Sequence, residues 1–206
     1  MKKTLFLFLV LISTNTMKSQ HNDGDYKKIA LDQLKGTLVE LEALVSDLSK
    51  EDLTYIPKDG GWSVLNCLEH LAFVEPRLGA KIKSMVSENK LDPDKNLSAN
   101  DWKVIAKVTD RTKKVITPEP FRPQPEMKDK DKDYFLAQLK NDRQDIIDFI
   151  EGTNADLRHL FGPYPYGEAD GIQQVLVLAS HMYRHTMQIK ETILELYPDR
   201  DETARL

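Results

Sequence analysis

The chain has 206 residues, a formal charge of −4, one cysteine and five histidines. An acidic chain with scattered lysines lacks the basic face that phosphate contact needs, which argues against nucleic acid as a partner. A single thiol, Cys67, cannot form an internal disulfide, so stability must come from a core, helped by any metal the chain binds.

The N-terminus opens on Lys2 and Lys3, continues as an unbroken apolar run from Leu5 to Ile12, and ends in small and polar residues from Ser13 to Gln20. That order is the three-part layout of a secretory signal peptide. The run falls short of the roughly 20 residues that span a bilayer. We therefore expect residues 1–20 to be a signal peptide, cut between Thr16 and Gln20, and residues 21–206 to be one exported domain, periplasmic or secreted. No further apolar run is long enough for a membrane span. Losing Lys2, Lys3 and Lys18 takes the mature chain to a charge of about −7.

Four long segments carry helical periodicity. The first covers about Asp25 to Ser49, with Leu34, Leu38, Leu41, Val45 and Leu48 on one stripe. A second begins at Ser63, an N-cap following Gly60-Gly61-Trp62, and runs to about Asn89 with Pro76 inside it. The third spans about Lys132 to Glu151, turns Phe135, Leu139, Ile146 and Ile150 inward, and stops at Gly152. The fourth starts after Asp170, a plausible N-cap, and reaches about Leu196, with Pro198 just beyond. No segment alternates as a strand would. The pattern predicts an all-α, antiparallel four-helix bundle. Its middle connection, Lys90 to Asp131, is a long crossover: a short helix near Ala99 to Lys107, then an extended stretch from Thr117 to Pro125 holding four prolines. The basic cluster from Lys103 to Lys114 reads as a solvated helix face.

Histidine placement carries the functional signal. His181 and His185 stand at i and i+4, one turn apart on one helix face. They share a stripe with Gln174, Leu178, Gln188 and Thr192, beside an apolar stripe of Val175, Ala179, Met182, Ile189 and Ile193, so both point inward. Two buried imidazoles satisfy each other poorly, whereas a metal satisfies both. His70, about two turns into the second helix, reaches the pair if the second and fourth helices are antiparallel neighbours. Three nitrogens leave open coordination positions, the layout of a reactive rather than a closed structural site. Neutral imidazoles suit one divalent ion, Zn²⁺, Ni²⁺ or Fe²⁺.

These residues sit in a wider pattern. Gly61-Trp62-Ser63-Val64-Leu65 leads into Leu68-Glu69-His70-Leu71; Tyr166-Gly167 precedes the last helix, which holds His181-x-x-Arg184-His185-x-x-Gln188-Ile189; Asp110-Arg111 and Thr117-Pro118-Glu119 lie between. In order and spacing the mature chain resembles the DinB-like, or YfiT-like, superfamily. The resemblance implies a four-helix bundle with a three-histidine metal site, one ligand on the second helix and two on the fourth, here His70, His181 and His185. Some relatives transfer or isomerise with small thiol cofactors, others are described as metal-dependent hydrolases, and relatives often pair as homodimers.

Three functions follow as expectations: a metal-dependent hydrolase of a small molecule, a thiol-dependent transferase, and a non-catalytic metal- or ligand-binding bundle. A hydrolase usually keeps a carboxylate base by the metal. Met182 follows His181 here, and neither Glu69 nor Glu75 is clearly aimed at the site; Glu69 is expected to pair with Arg184 or solvent. Trp62, Asn66, Cys67, Tyr166 and Tyr183 are the candidates for a pocket around the histidines.

Overall fold

The computed structural model describes residues 23–199, so the signal-peptide reading of residues 1–20 lies outside the described residues. The chain is mostly helical. Four long helices dominate: α1 (Asp23–Val45), α3 (Val64–Glu88), α5 (Lys132–Gly152) and α6 (Gly171–Leu196). Two shorter ones lie between them, α2 (Lys50–Thr54) and α4 (Asp101–Thr109). A two-stranded antiparallel hairpin, β1 (Phe161–Tyr164) and β2 (Gly167–Asp170), precedes α6. No helix among the described residues is long and apolar enough to cross a membrane.

Helix boundaries follow from capping chemistry. Ser63 caps α3: its hydroxyl accepts from the Asn66 N–H at 3.1 Å, and the Asn66 side chain returns a bond to the Ser63 N–H. Asn89 ends the helix in the left-handed conformation, at φ 48°. Asp170 caps α6 in the same reciprocal way with Gln173. The first helix is shorter than expected. It stops at Val45, because Ser49 and Asp52 form a second capping box that starts α2 instead. The hairpin is the other departure from the sequence expectation. Its strands are four residues each, joined across Pro165 and Tyr166, too short for alternation to show.

Long-range contacts set the helix directions. The Lys27 ammonium donates to the Thr153 carbonyl and that of Lys132 to the Ser46 carbonyl, so α1 and α5 run antiparallel. On α3 and α5, Glu75 faces Arg143, Gly79 faces Ile146 and Lys83 lies over the Phe149 ring. Those positions rise together, so α3 and α5 run the same way. A short loop joins only antiparallel neighbours; the long crossover permits this parallel arrangement. Helix α6 packs on α1, α3 and α4, and α5 packs on α1 and α3.

Two large apolar clusters separated by a polar layer make most of the core, and a small third one gathers Val104, Val108 and Val177. Of the large two, one gathers Ala30, Leu34, Ile82, Ile146, Ile150 and Leu178; the other gathers Leu41, Val45, Leu68, Leu71, Leu139 and Ile189. Each fully buried aliphatic side chain contributes about 1.5–3 kcal/mol. Between them lies Arg143, wholly buried, ion-paired to Glu75 at 2.5 Å and donating to the Leu34 carbonyl and the Thr37 hydroxyl. Burial lifts the Glu75 carboxyl to about 7 despite the opposing pull of Arg143.

Candidate metal centre

Helices α3 and α6 pass each other antiparallel, and this brings the three predicted histidines together. One nitrogen from each of His70, His181 and His185 lies within 4.8 Å of the others. Nε2 of His70 is 3.3 Å from Nε2 of His181. Two ligands at about 2.0–2.1 Å from a tetrahedral ion would stand about that far apart. Ring centroids are 5.2 Å apart for His70 and His181, 4.7 Å for His70 and His185, and 4.8 Å for His181 and His185.

Partners fix two of the three tautomers. Nδ1 of His70 meets the Phe121 carbonyl oxygen at 2.6 Å. A carbonyl only accepts, so Nδ1 carries the proton and Nε2 presents a lone pair to the centre. Nδ1 of His185 meets Oε1 of Gln188 at 3.1 Å, and the same oxygen accepts from Arg111 at 3.4 Å. That leaves the His185 Nε2 lone pair free as well. Nδ1 of His181 is buried with no hydrogen-bond partner.

All three rings are held neutral. Burial lowers the His70 pKa, partly offset by the bond to Phe121. Burial first, then His70, Arg184 and Arg143, push His181 down to about 3. His185 is pushed well below its ordinary value by burial, then by His181, His70 and Arg184. Neutral imidazoles with converging lone pairs are the donor set a divalent ion requires. The residues present therefore fit a metal ion.

Around the histidines opens a cavity of about 1040 Å³. Trp62 and Tyr166 line it. The Trp62 ring stacks on His185 with centroids 6.1 Å apart and tilts against His70 at 4.9 Å. Tyr166 arrives at the tip of the β1–β2 hairpin. Asn66, Cys67 and Tyr183 are not among the lining residues. Asn66 is used in the α3 cap, and Cys67 is buried in the core, its thiol pushed up to about 12 by burial. A capping side chain and a core-facing one have no freedom to turn toward the cavity.

Two further expectations are corrected. Glu69 does not pair with Arg184; its carboxylate accepts the backbone N–H of Gln124 in the crossover. Arg184 instead donates to the backbone carbonyls of Val108, Asp110 and Lys113. The basic cluster is only partly a helix face: α4 ends at Thr109, and Arg111, Lys113 and Lys114 follow it on a loop along the cavity wall, with both lysines exposed. Sequence reasoning had no signal for Phe121, which acts through its backbone, but Gln188 was visible on the histidine stripe.

A family model described as the DinB superfamily matches residues 33–189. The chain belongs to the DinB superfamily. No curated protein and no solved structure matches it. In this DinB-superfamily chain the match covers α3 and α6 as far as Ile189, so all three histidines lie inside it.

Proposed function

We propose that this DinB-superfamily chain is an exported metalloprotein, a four-helix bundle of α1, α3, α5 and α6, that binds one divalent ion through Nε2 of His70, His181 and His185 and hydrolyses a small molecule. The observation that carries this reading is the convergence of three neutral imidazoles at the wall of a large cavity. When bound, Zn²⁺, Ni²⁺ or Fe²⁺ supplies Lewis-acid activation at a coordination position the three rings leave open. The chain's own contribution is orientation. Phe121 and Gln188 hold His70 and His185 by their outer nitrogens, and Trp62 covers the His70 and His185 rings. The layout of residues 1–20 supports export, and homodimerisation is an expectation from relatives alone.

One observation favours a second reading, a metal- or ligand-binding bundle without turnover. Every carboxylate on the cavity wall is engaged. Asp59 accepts from Gly61 N–H and Lys114, Glu191 pairs with Arg111, and Glu195 accepts from Tyr55 and the Lys58 N–H. None is free as a general base in this arrangement. A thiol-dependent transferase is disfavoured by export, since an oxidising compartment holds little free thiol.

Elemental analysis of the mature protein, with His70→Ala, His181→Ala and His185→Ala beside it, tests the metal. One equivalent in the parent and little in each variant is expected. A panel of esters, amides and lactams then tests hydrolysis. Turnover that a chelator and His181→Ala both abolish supports the enzyme, and bound metal with no turnover selects the binding reading.

A further inference from the structure

The charge of the cavity wall opposes that of the chain. The protein carries −4 overall, yet the wall holds Arg77, Arg111, Lys113, Lys114, Arg122 and Arg184 against Asp59, Glu191 and Glu195. Glu191 and Asp59 neutralise Arg111 and Lys114, and Glu195 accepts from Tyr55 and the Lys58 N–H. Arg184 is committed to backbone carbonyls of the crossover. Arg77, Arg122 and Lys113 remain, with no carboxylate partner among the described residues.

Two of these cations are anchored by neighbouring groups on the cavity wall. The Arg77 guanidinium sits over the Phe73 ring, 3.5 Å from its centroid, and bonds the Phe73 carbonyl. The Phe73 ring meets Phe121 edge-on at 6.3 Å. Phe121 is the residue whose carbonyl holds His70, and Arg122 follows it directly. Nε of Arg122 donates to the Thr117 carbonyl at 2.8 Å, which leaves its terminal nitrogens free. Arg77, two turns beyond His70 on α3, and Arg122, directly after Phe121 on the crossover, both line the cavity and are linked through the Phe73–Phe121 contact. The wall also carries apolar side chains, among them Val74, Leu78, Ile116, Phe121 and Tyr166. An unpaired guanidinium anchored by its neighbours is prepaid in orientation and takes carboxylate or phosphate oxygens through paired N–H donors.

We propose that the cavity takes a small organic anion, a carboxylate or phosphate ester with an apolar body, and that Arg77 and Arg122 receive its negative group. This rests on the reading of the cavity as the substrate or ligand site, but not on the metal.

The test uses the mature protein, metal-loaded and chelator-treated, and isothermal titration with phenylacetate, phenyl phosphate, phenylacetamide and phenethylamine. At least one anion is expected to bind about tenfold or more tightly than the amide, with the amine weakest. The two anions separate carboxylate from phosphate recognition. Arg77→Gln with Arg122→Gln should erase the preference while metal content and helical circular dichroism stay unchanged. If that variant loses its helical signal, Arg77→Lys with Arg122→Lys is read instead and should weaken the anion several-fold, because Lys cannot offer a fork. Equal binding of anion and amide, no binding of any probe, or a preference that survives these substitutions overturns the proposal. A preference lost on chelation but untouched by the arginine variants assigns the anion to the ion and also overturns it. A protein with no bound metal whose anion preference depends on the arginines sinks the metal reading and leaves this one standing.

Discussion

Nδ1 of His70 lies 2.6 Å from the carbonyl oxygen of Phe121, so the long crossover and the histidine centre hold each other in place. The crossover supplies the one acceptor that orients His70. In return His70, with Glu69 bonding Gln124, fastens a proline-rich stretch that has little regular structure of its own.

That mutual support predicts a local effect of His70→Ala beyond metal loss. Amide hydrogen exchange in residues 117–125 should accelerate about fivefold, the weight of one hydrogen bond of ~1 kcal/mol. Exchange followed by mass spectrometry checks it. Unchanged protection there would show that the crossover is held by other contacts.

Gln188→Ala removes the acceptor that orients His185 and the link to Arg111. Loss of such an outer-shell partner weakens metal binding about 10–100-fold. Competition against a chelator of known affinity measures this, and an affinity equal to that of the parent would remove Gln188 from the centre.

The depressed histidine pKa values set a pH dependence for the metal-free protein. Above the ordinary histidine value near 6.5 the folded and unfolded chains hold these rings alike, as neutral imidazoles. As pH falls below it, the unfolded chain takes up protons that the buried rings refuse. Stability is therefore present above pH ~6.5 and is lost progressively toward about 3, the value of His181. Each ring costs up to about 1.4 kcal/mol per pH unit. Urea unfolding of chelated protein between about pH 7 and pH 5 should show a steeper loss than His181→Ala/His185→Ala. Glu75, with its pKa raised, is common to both proteins and cancels in that difference. Parallel curves would contradict the assigned protonation states.

The pair between the two core clusters predicts an asymmetry. Arg143→Met leaves the Glu75 carboxyl buried without its partner and should cost about 3–5 kcal/mol, while Arg143→Met with Glu75→Leu should recover most of it. Denaturant midpoints of the two variants decide the matter.

Cys67 should be inert in the folded protein. With the thiol at about 12, the thiolate at pH 8 is on the order of one part in ten thousand. Ellman's reagent should label it only after denaturant is added; labelling of the native protein within minutes would contradict its burial.

Much of this molecule is legible along the chain. Ser63 and Asp170 announce their helices because an N-cap is a local bond between a side chain and an N–H three residues on. His181 and His185 declare a shared face through the helical repeat alone. Tyr166 and Trp62 line the cavity that holds the histidines, but Asn66, Cys67 and Tyr183 do not, since nearness in sequence does not say which way a side chain turns. The hairpin escaped because four-residue strands carry too little alternation, and the first helix was overdrawn because Ser49 competes to start a new one.

By itself, then, the sequence determined the long helices, their caps, the inward stripes and the shared face of His181 and His185, all of which depend on contacts a few residues apart. Only the tertiary structure decided that α3 and α5 run the same way, that His70 joins His181 and His185, that Phe121 holds His70, and that Arg77 and Arg122 line the same cavity. Those relationships join residues that the crossover carries together across the fold. They are set by how whole helices pack, which no local pattern records.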